Sequence, residues 1–187
     1  MFCIAIFLVA IASQKTEASE GTYVSIMGGA NAVDKILHNS ASDIGFITTG
    51  AIGYTFSNAI SLEGEVGYRS NDISKYADSR KSGYVHTLSF MAHVLYHFQT
   101  DYYFTPYLGA GFGSAFKHSK IKGFNYRIEE FFSYKNKDHR LAWDLIAGIA
   151  FPITENIDID IQYRYFYAFH DNKSHNNSVG AGLKYSF

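Results

Sequence analysis

Two pairs of carboxylates spaced two residues apart, Glu63/Glu65 and Asp158/Asp160, and two histidines spaced four apart, His93/His97, are the groupings whose types could do chemistry. Paired acids can share general acid and base roles, and clustered histidines can hold a metal. Whether either happens depends on the backbone beneath them. All three groupings sit in segments that alternate apolar and polar residues with period two, which predicts β-strand. On a strand, residues two apart are separated by about 6–7 Å and residues four apart by about 13 Å. His93 and His97 are therefore too distant to share an ion, and no metal or cofactor is expected. Each acid pair has opposite charge within reach. Glu63, Glu65, Arg69, Asp144, Asp158, Asp160, Arg164 and Lys184 all fall on the polar side of their strands, as does Arg140. Such residues predict a charge-paired interior, with Lys184 meeting Asp158 or Asp160, and Glu65 meeting Arg69 or Arg164.

Eight strands carry these residues, at about 22–32, 43–57, 60–69, 84–98, 105–116, 140–151, 157–169 and 178–187. The seventh is the plainest: Ile157, Ile159, Ile161, Tyr163, Tyr165 and Tyr167 alternate with Asp158, Asp160, Gln162, Arg164 and Phe166. The eighth sets Val179, Ala181, Leu183, Tyr185 and Phe187 against Ser178, Gly180, Gly182, Lys184 and Ser186. Connections alternate between short turns (57–59, 99–104, 152–156) and longer polar segments (33–42, 70–83, 117–139, 170–177). Short turns at one end and long loops at the other are the known asymmetry of membrane barrels. Tyr54, Phe56, Tyr96, Phe98, Phe151, Tyr185 and Phe187 cluster at the turn side. Tyr68, Tyr84, Phe116, Trp143, Tyr165, Tyr167 and Phe169 cluster at the loop side. Two aromatic girdles flanking a band of Ile, Leu, Val, Ala and Gly match a lipid-spanning wall. A soluble barrel would need the opposite face outside, and that face bears Gly109, Gly111, Gly113, Gly180 and Gly182, with little to solvate.

Composition agrees. The 187 residues include 15 Tyr, 16 Phe and 16 Gly but 2 Pro, and mean hydropathy is close to zero, so half the surface of each strand is polar. A net charge of −1 gives no reason to expect nucleic acid. The apolar run Phe2–Ala12 is too short for a spanning helix, which needs about 20 residues, and reads as a secretory signal. Thr16-Glu17-Ala18 predicts cleavage after Ala18, giving a signal peptide over 1–18 and a single barrel domain over 19–187. The sole cysteine, Cys3, lies in the removed segment, so neither disulfides nor a thiol nucleophile are expected.

Gly21-Thr-Tyr-Val-Ser, Pro106-Tyr-Leu-Gly-Ala-Gly-Phe-Gly113 and Val179-Gly-Ala-Gly-Leu-Lys-Tyr-Ser-Phe187 resemble the small outer-membrane barrels of the OmpA/OmpX type, most closely the opacity-like surface antigens. The resemblance implies an all-β, eight-stranded antiparallel transmembrane up-and-down β-barrel in the outer membrane of a Gram-negative bacterium. It also implies that Tyr185 and Phe187 form the signal read by the barrel-assembly machinery. Residues 163–172 are superficially similar to the motif of outer-membrane lipid A deacylases, in which a Ser follows the catalytic His by two positions. Here His170 is followed by Asn172, so the nucleophile is missing and no enzyme is expected.

Two features remain for function. The interior charges predict either a polar plug or a narrow ion path, and the width of an eight-stranded barrel, just filled by side chains, favours the plug. The segment 117–139 interleaves Lys117, Lys120, Lys122 and Arg127 with Phe124, Tyr126, Phe131, Phe132 and Tyr134, and is the candidate external binding loop. Basic residues among aromatics suit anionic host glycans, host proteins or lipopolysaccharide phosphates, while the same residues could simply extend a hairpin above the membrane. The expectation is a surface antigen acting in adhesion or envelope interaction, in contact with outer-membrane lipid and lipopolysaccharide. A small porin-like channel is the alternative and a lipid A-modifying enzyme the third reading.

Overall fold

The computed structural model describes residues 20–35, 44–76, 79–125, 130–169 and 174–187. Alternation of small, apolar and polar residues gives eight strands: β1 (Gly21–Lys35), β2 (Ile44–Thr55), β3 (Ile60–Tyr76), β4 (Ser79–His97), β5 (Thr105–Asn125), β6 (Glu130–Pro152), β7 (Ile157–Ala168) and β8 (Ser174–Ser186). Each pairs antiparallel with its neighbours in chain order, and β1 closes on β8 from Tyr23↔Ser186 to Lys35↔Ser174. Closure leaves no unpaired edge, the condition for backbone to cross lipid as sheet. No helix among the described residues is long and apolar enough to cross a membrane.

The facings follow the alternation. Outward stand Ile26, Ile52, Leu62, Val66, Val94, Leu108, Phe112, Leu145, Ile161 and Leu183, all exposed, while the residues between them are buried or half-buried. An exposed apolar belt running around a whole barrel has one solvent that suits it, hydrocarbon. The turn-side girdle repeats one device: Tyr54–Phe56, Tyr96–Phe98 and Tyr185–Phe187 are edge-to-face pairs with centroids 5.0, 5.0 and 5.1 Å apart. At the loop side, Trp143, Tyr165 and Tyr167 pack together, and Phe46 tilts against Tyr68.

Glycine inside the barrel makes room for large inward rings. Tyr23 lies directly opposite Gly53, and Tyr107 directly opposite Gly148. A Cβ at either glycine would collide with the tyrosine ring beside it. The two Tyr–Gly pairs fill the turn-side half of the lumen, where Leu95, Ile146 and Ala150 pack with Tyr107.

The strands overrun the expected boundaries. Segments 70–83 and 117–139 were expected as loops, yet β3 continues to Tyr76, β4 starts at Ser79, β5 runs to Asn125 and β6 starts at Glu130. A spanning strand needs about 9–11 residues, whereas β5 has 21 and β6 has 23. The excess continues the sheet beyond the belt: β3 pairs β4 out to Tyr76↔Ser79, β4 pairs β5 out to Lys81↔Gly123, and β5 and β6 form its longest ribbon, out to Asn125↔Glu130. Beyond the belt lipid no longer imposes one chemistry on every second residue, so the period-two hydrophobic signal fades while backbone pairing continues.

Candidate functional site

The lumen carries a stack of polar layers. Nearest the turns, Lys184 Nζ sits 2.8 Å from Asp158 Oδ2, its directly opposite residue, and lies 5.5 Å from the Tyr23 ring centroid. Ser61 bridges Thr55 and His97 at 2.8 and 2.9 Å. The Tyr23 hydroxyl donates to Glu63 Oε2 at 3.0 Å.

The central layer is almost wholly charged and wholly enclosed. Arg164 Nη1 donates to Glu65 Oε1 at 2.5 Å and lies 3.5 Å from Asp144 Oδ2, while Nη2 donates to Gln162 Oε1 at 3.0 Å. His93 Nε2 contacts both oxygens of Asp144, at 3.1 and 3.2 Å, and Nδ1 lies 3.3 Å from Glu63 Oε1. The side chains of Arg164, Glu65, Asp144 and His93 are at most 2% exposed. Buried charges tolerate this only when mutually compensated.

Above them Arg69 donates from Nη1 to Ser89 Oγ at 2.9 Å, and its guanidinium lies 4.0 Å over the Phe166 ring. Phe166 packs with Met91, Ala115 and Ala142, giving this level an apolar filling. The next level is an amide cluster. Asn31 Nδ2 donates to Asn71 Oδ1 at 2.7 Å and accepts at Oδ1 from Ser178 Oγ at 2.8 Å. A small cavity of about 30 Å³ remains on the turn side of the charged layer, lined by Glu63, Glu65, Tyr107, Asp160 and Lys184 among others.

Each residue of the expected interior network thus points inward, with particular pairings selected. Lys184 takes Asp158 and leaves Asp160 in the cavity wall, because the register sets Asp158 directly across from it. Glu65 takes Arg164 from across the barrel, whereas Arg69, four residues along its own strand, turns to Ser89 and Phe166. Arg140 bonds Asp138, two residues away on the same strand, and the Phe169 carbonyl. His93 was read only against His97. Its directly opposite residue is Glu63, and the cross-strand register that joins them is not visible in strand periodicity alone. His86, His139 and His175 stack on Tyr68, Phe116 and Tyr165 at the loop-side girdle.

Of the candidate external loop, Tyr126 and Arg127 lie outside the described residues, and the rest fall on the β5–β6 ribbon. Its register sets His118 opposite Lys137, Lys120 opposite Lys135, Lys122 opposite Ser133 and Phe124 opposite Phe131. Positions 118, 120, 122 and 124 share one face of the ribbon with those four partners, as do Lys117, Phe132 and Tyr134 with the other.

A closed eight-stranded barrel with an exposed apolar belt, two aromatic girdles and a filled polar lumen admits comparison with known families. Residues 1–187 match the family model of the outer membrane protein beta-barrel domain. The chain belongs to that family. Its outer-membrane relatives include PagN of Salmonella typhimurium, 27% identical over 207 residues that cover 92% of this chain and 85% of PagN. An outer membrane protein of Gluconacetobacter diazotrophicus is 28% identical over 200 residues, covering 89% of this chain but 53% of that one, so the chain spans about half of that relative's length. Among solved outer-membrane barrels, Neisserial surface protein A superposes with a TM-score of 0.60 at 20% identity, covering 91% of this chain and all of the other. Ail, the attachment invasion locus protein of Yersinia pestis, superposes at 0.56 and 19% identity over 90% of this chain and all of Ail, in a complex with the heparin analogue sucrose octasulfate. At these identities the two structures speak for the fold. As a member of the outer-membrane β-barrel family, the chain resides in the outer membrane of a Gram-negative bacterium, with lipid against its apolar belt.

Proposed function

We propose that this barrel is a surface adhesin whose β5–β6 ribbon binds anionic, glycosaminoglycan-like polysaccharide. The observation that carries the reading is the ribbon's register. It places Lys120 directly opposite Lys135 and, on the same face, His118 opposite Lys137, with Lys122 beside them. Like charges directly opposite on paired strands are destabilising. A sulfated or carboxylated ligand would offset that repulsion, since β5 and β6 carry no acidic residue at positions 118–124 or 131–137 and Asp72 in the same row stands two strands away from Lys120. Phe124 and Phe131, register partners near the tip, are residue types that suit sugar rings. The complex of the similarly folded Ail with a heparin analogue supports the same class of ligand.

Export after cleavage of residues 1–18, and recognition of Tyr185 and Phe187 by the barrel-assembly machinery, belong to the same reading. Residues 1–19 lie outside the described residues. Phe187 is 72% exposed at the turn-side rim, and its amide donates to the Thr22 carbonyl at 3.0 Å, so the last residue is held in the seam yet presents its ring. The reading assigns the lumen a structural task, as a polar plug, and assigns the chain no catalysis. His170 and Asn172 also fall outside the described residues.

The test is retention on immobilised heparin of barrel purified from outer membranes, wild type against Lys120→Ala/Lys135→Ala. Wild type should bind and elute at raised salt, and the double variant should lose at least tenfold in affinity while keeping its folded gel mobility. Absence of wild-type binding at low salt, or equal binding by the variant, refutes the proposal.

A further inference from the structure

Glu63, Glu65 and His93 each offer one ligand atom, and these atoms lie within 4.8 Å of one another in the centre of the lumen. We propose that they form a site for a divalent transition-metal ion of the zinc class. The set is a histidine and two carboxylates, a donor mixture that suits such ions.

His93 argues most directly for it. Its Nε2 faces both oxygens of Asp144, a geometry in which Nε2 carries the proton and donates. In a neutral ring that leaves the lone pair on Nδ1. A carboxylate orienting one imidazole nitrogen while the other ligates is the usual arrangement around protein-bound metals. Nδ1 is buried and makes no hydrogen bond, although Glu63 Oε1 lies 3.3 Å away. Two lone-pair atoms face each other at that distance. Ligands held ~2.0–2.1 Å from a tetrahedral zinc stand about 3.3–3.4 Å apart, so Nδ1 and Oε1 already span one tetrahedral edge. Glu65 must close the larger remaining gap. Its Oε1 accepts from Arg164, and the carboxylate keeps a second oxygen for the ion.

Charge bookkeeping over the lumen points the same way. The eight residues of the interior network comprise five carboxylates (Glu63, Glu65, Asp144, Asp158, Asp160) and three fixed cations (Arg69, Arg164, Lys184), and Arg140 on the same side is neutralised by Asp138. With His93 neutral, one divalent ion makes up the deficit of two positive charges in a wall surrounded by lipid. The cavity of about 30 Å³ abuts Glu63 and Glu65 and supplies room for a water in a fourth coordination position.

The competing account of the same atoms is a doubly protonated His93 donating to Asp144 and Glu63 at once. The deciding experiment titrates Co²⁺, then Zn²⁺, into chelator-stripped barrel purified from outer membranes, read by visible d–d absorption and by isothermal calorimetry. The proposal expects one equivalent bound, displacement of Co²⁺ by Zn²⁺, and a metal-dependent rise in unfolding temperature. Glu63→Gln should weaken Co²⁺ binding at least tenfold, and Asp144→Asn, which acts through His93, should weaken it about 10–100-fold. Folded gel mobility confirms that each variant is intact. Wild-type barrel that takes up no metal, or two ring N–H signals on His93 in its ¹⁵N spectrum after metal addition, overturns the proposal without recourse to any variant. Binding unchanged in a folded Glu63→Gln overturns it equally.

Discussion

Replacing Arg164 by methionine should cost about 3–5 kcal/mol, and removing its partner as well should restore part of that loss. Arg164 is 2% exposed in its side chain, Glu65 1% and Asp144 0%, and the guanidinium lies 2.5 and 3.5 Å from the two carboxylates. Methionine keeps the apolar stem of arginine and lacks only its guanidinium tip, so the change is mainly one of charge, with a small void left at the tip. In chelator-stripped barrel Glu65 is then left as a buried carboxylate with no cation within ion-pair distance among the described residues. Asp144 keeps only His93. Breaking a buried pair from one side costs about 3–5 kcal/mol because the uncompensated charge remains enclosed. At 1.36 kcal/mol per decade this is a change of roughly two to four decades in the folding equilibrium. Glu65→Gln in the same chain removes the stranded charge, so Arg164→Met/Glu65→Gln should recover about 2 kcal/mol relative to Arg164→Met alone. The assay is urea unfolding in detergent micelles, followed by fluorescence of the sole tryptophan, Trp143, and by gel mobility of unboiled samples. An Arg164→Met barrel within about 1 kcal/mol of wild type would refute the idea that this pair is desolvated. Strict additivity of the two substitutions would refute their coupling.

Four further outcomes follow. Gly53→Ala and Gly148→Ala should each destabilise by about 1–3 kcal/mol, since the added methyl meets the Tyr23 or Tyr107 ring; the same urea titration measures this, and full stability in both would contradict the ring placement. Deleting Phe187 should reduce the fraction of protein recovered folded in outer membranes several-fold while leaving refolding in detergent nearly unchanged, which separates an assembly signal from a stability defect. Wild type should give no steady conductance in planar bilayers, because Phe166, Met91, Ala115 and Ala142 fill the lumen beneath the Asn31–Asn71–Ser178 layer. Phe166→Ala should lose about 3–5 kcal/mol and uncover Arg69, so sustained wild-type current would refute the plug.

Lipid made the wall legible from sequence, because it imposes one chemistry on every second residue. Ile157, Ile159 and Ile161 against Asp158, Asp160 and Gln162 declare both strand and facing, and the structure places them so. The same logic located the turns at 57–59 and 152–156. It stopped working where lipid stops. In 117–125 and 130–139 no hydrophobic alternation marks a facing, and only the pairing register discloses that these residues continue the strands. That register also converts a scatter of lysines into one face on which Lys120 opposes Lys135.

The lumen was legible as a set of charges and illegible as a set of partners, for a geometric reason. Strand periodicity states which side a residue takes, whereas partner choice depends on register and on what reaches across the closed barrel. Lys184 with Asp158 is a register pair, and so is Glu63 with His93. Arg164 with Glu65 is different: β7 and β3 are not neighbours, and the contact exists only because the barrel is narrow enough for an arginine to span it. Arg69 illustrates the consequence. Its expected partner on the same strand is already committed across the lumen, so it settles on the Phe166 face, with Nε and Nη2 left without hydrogen bonds. Stacking on a ring recovers part of what a lost carboxylate would have given a cation, and it lays the flat guanidinium against the apolar layer formed with Met91, Ala115 and Ala142. The residue that pairs least well by charge is therefore the one that joins the charged layer to the apolar one.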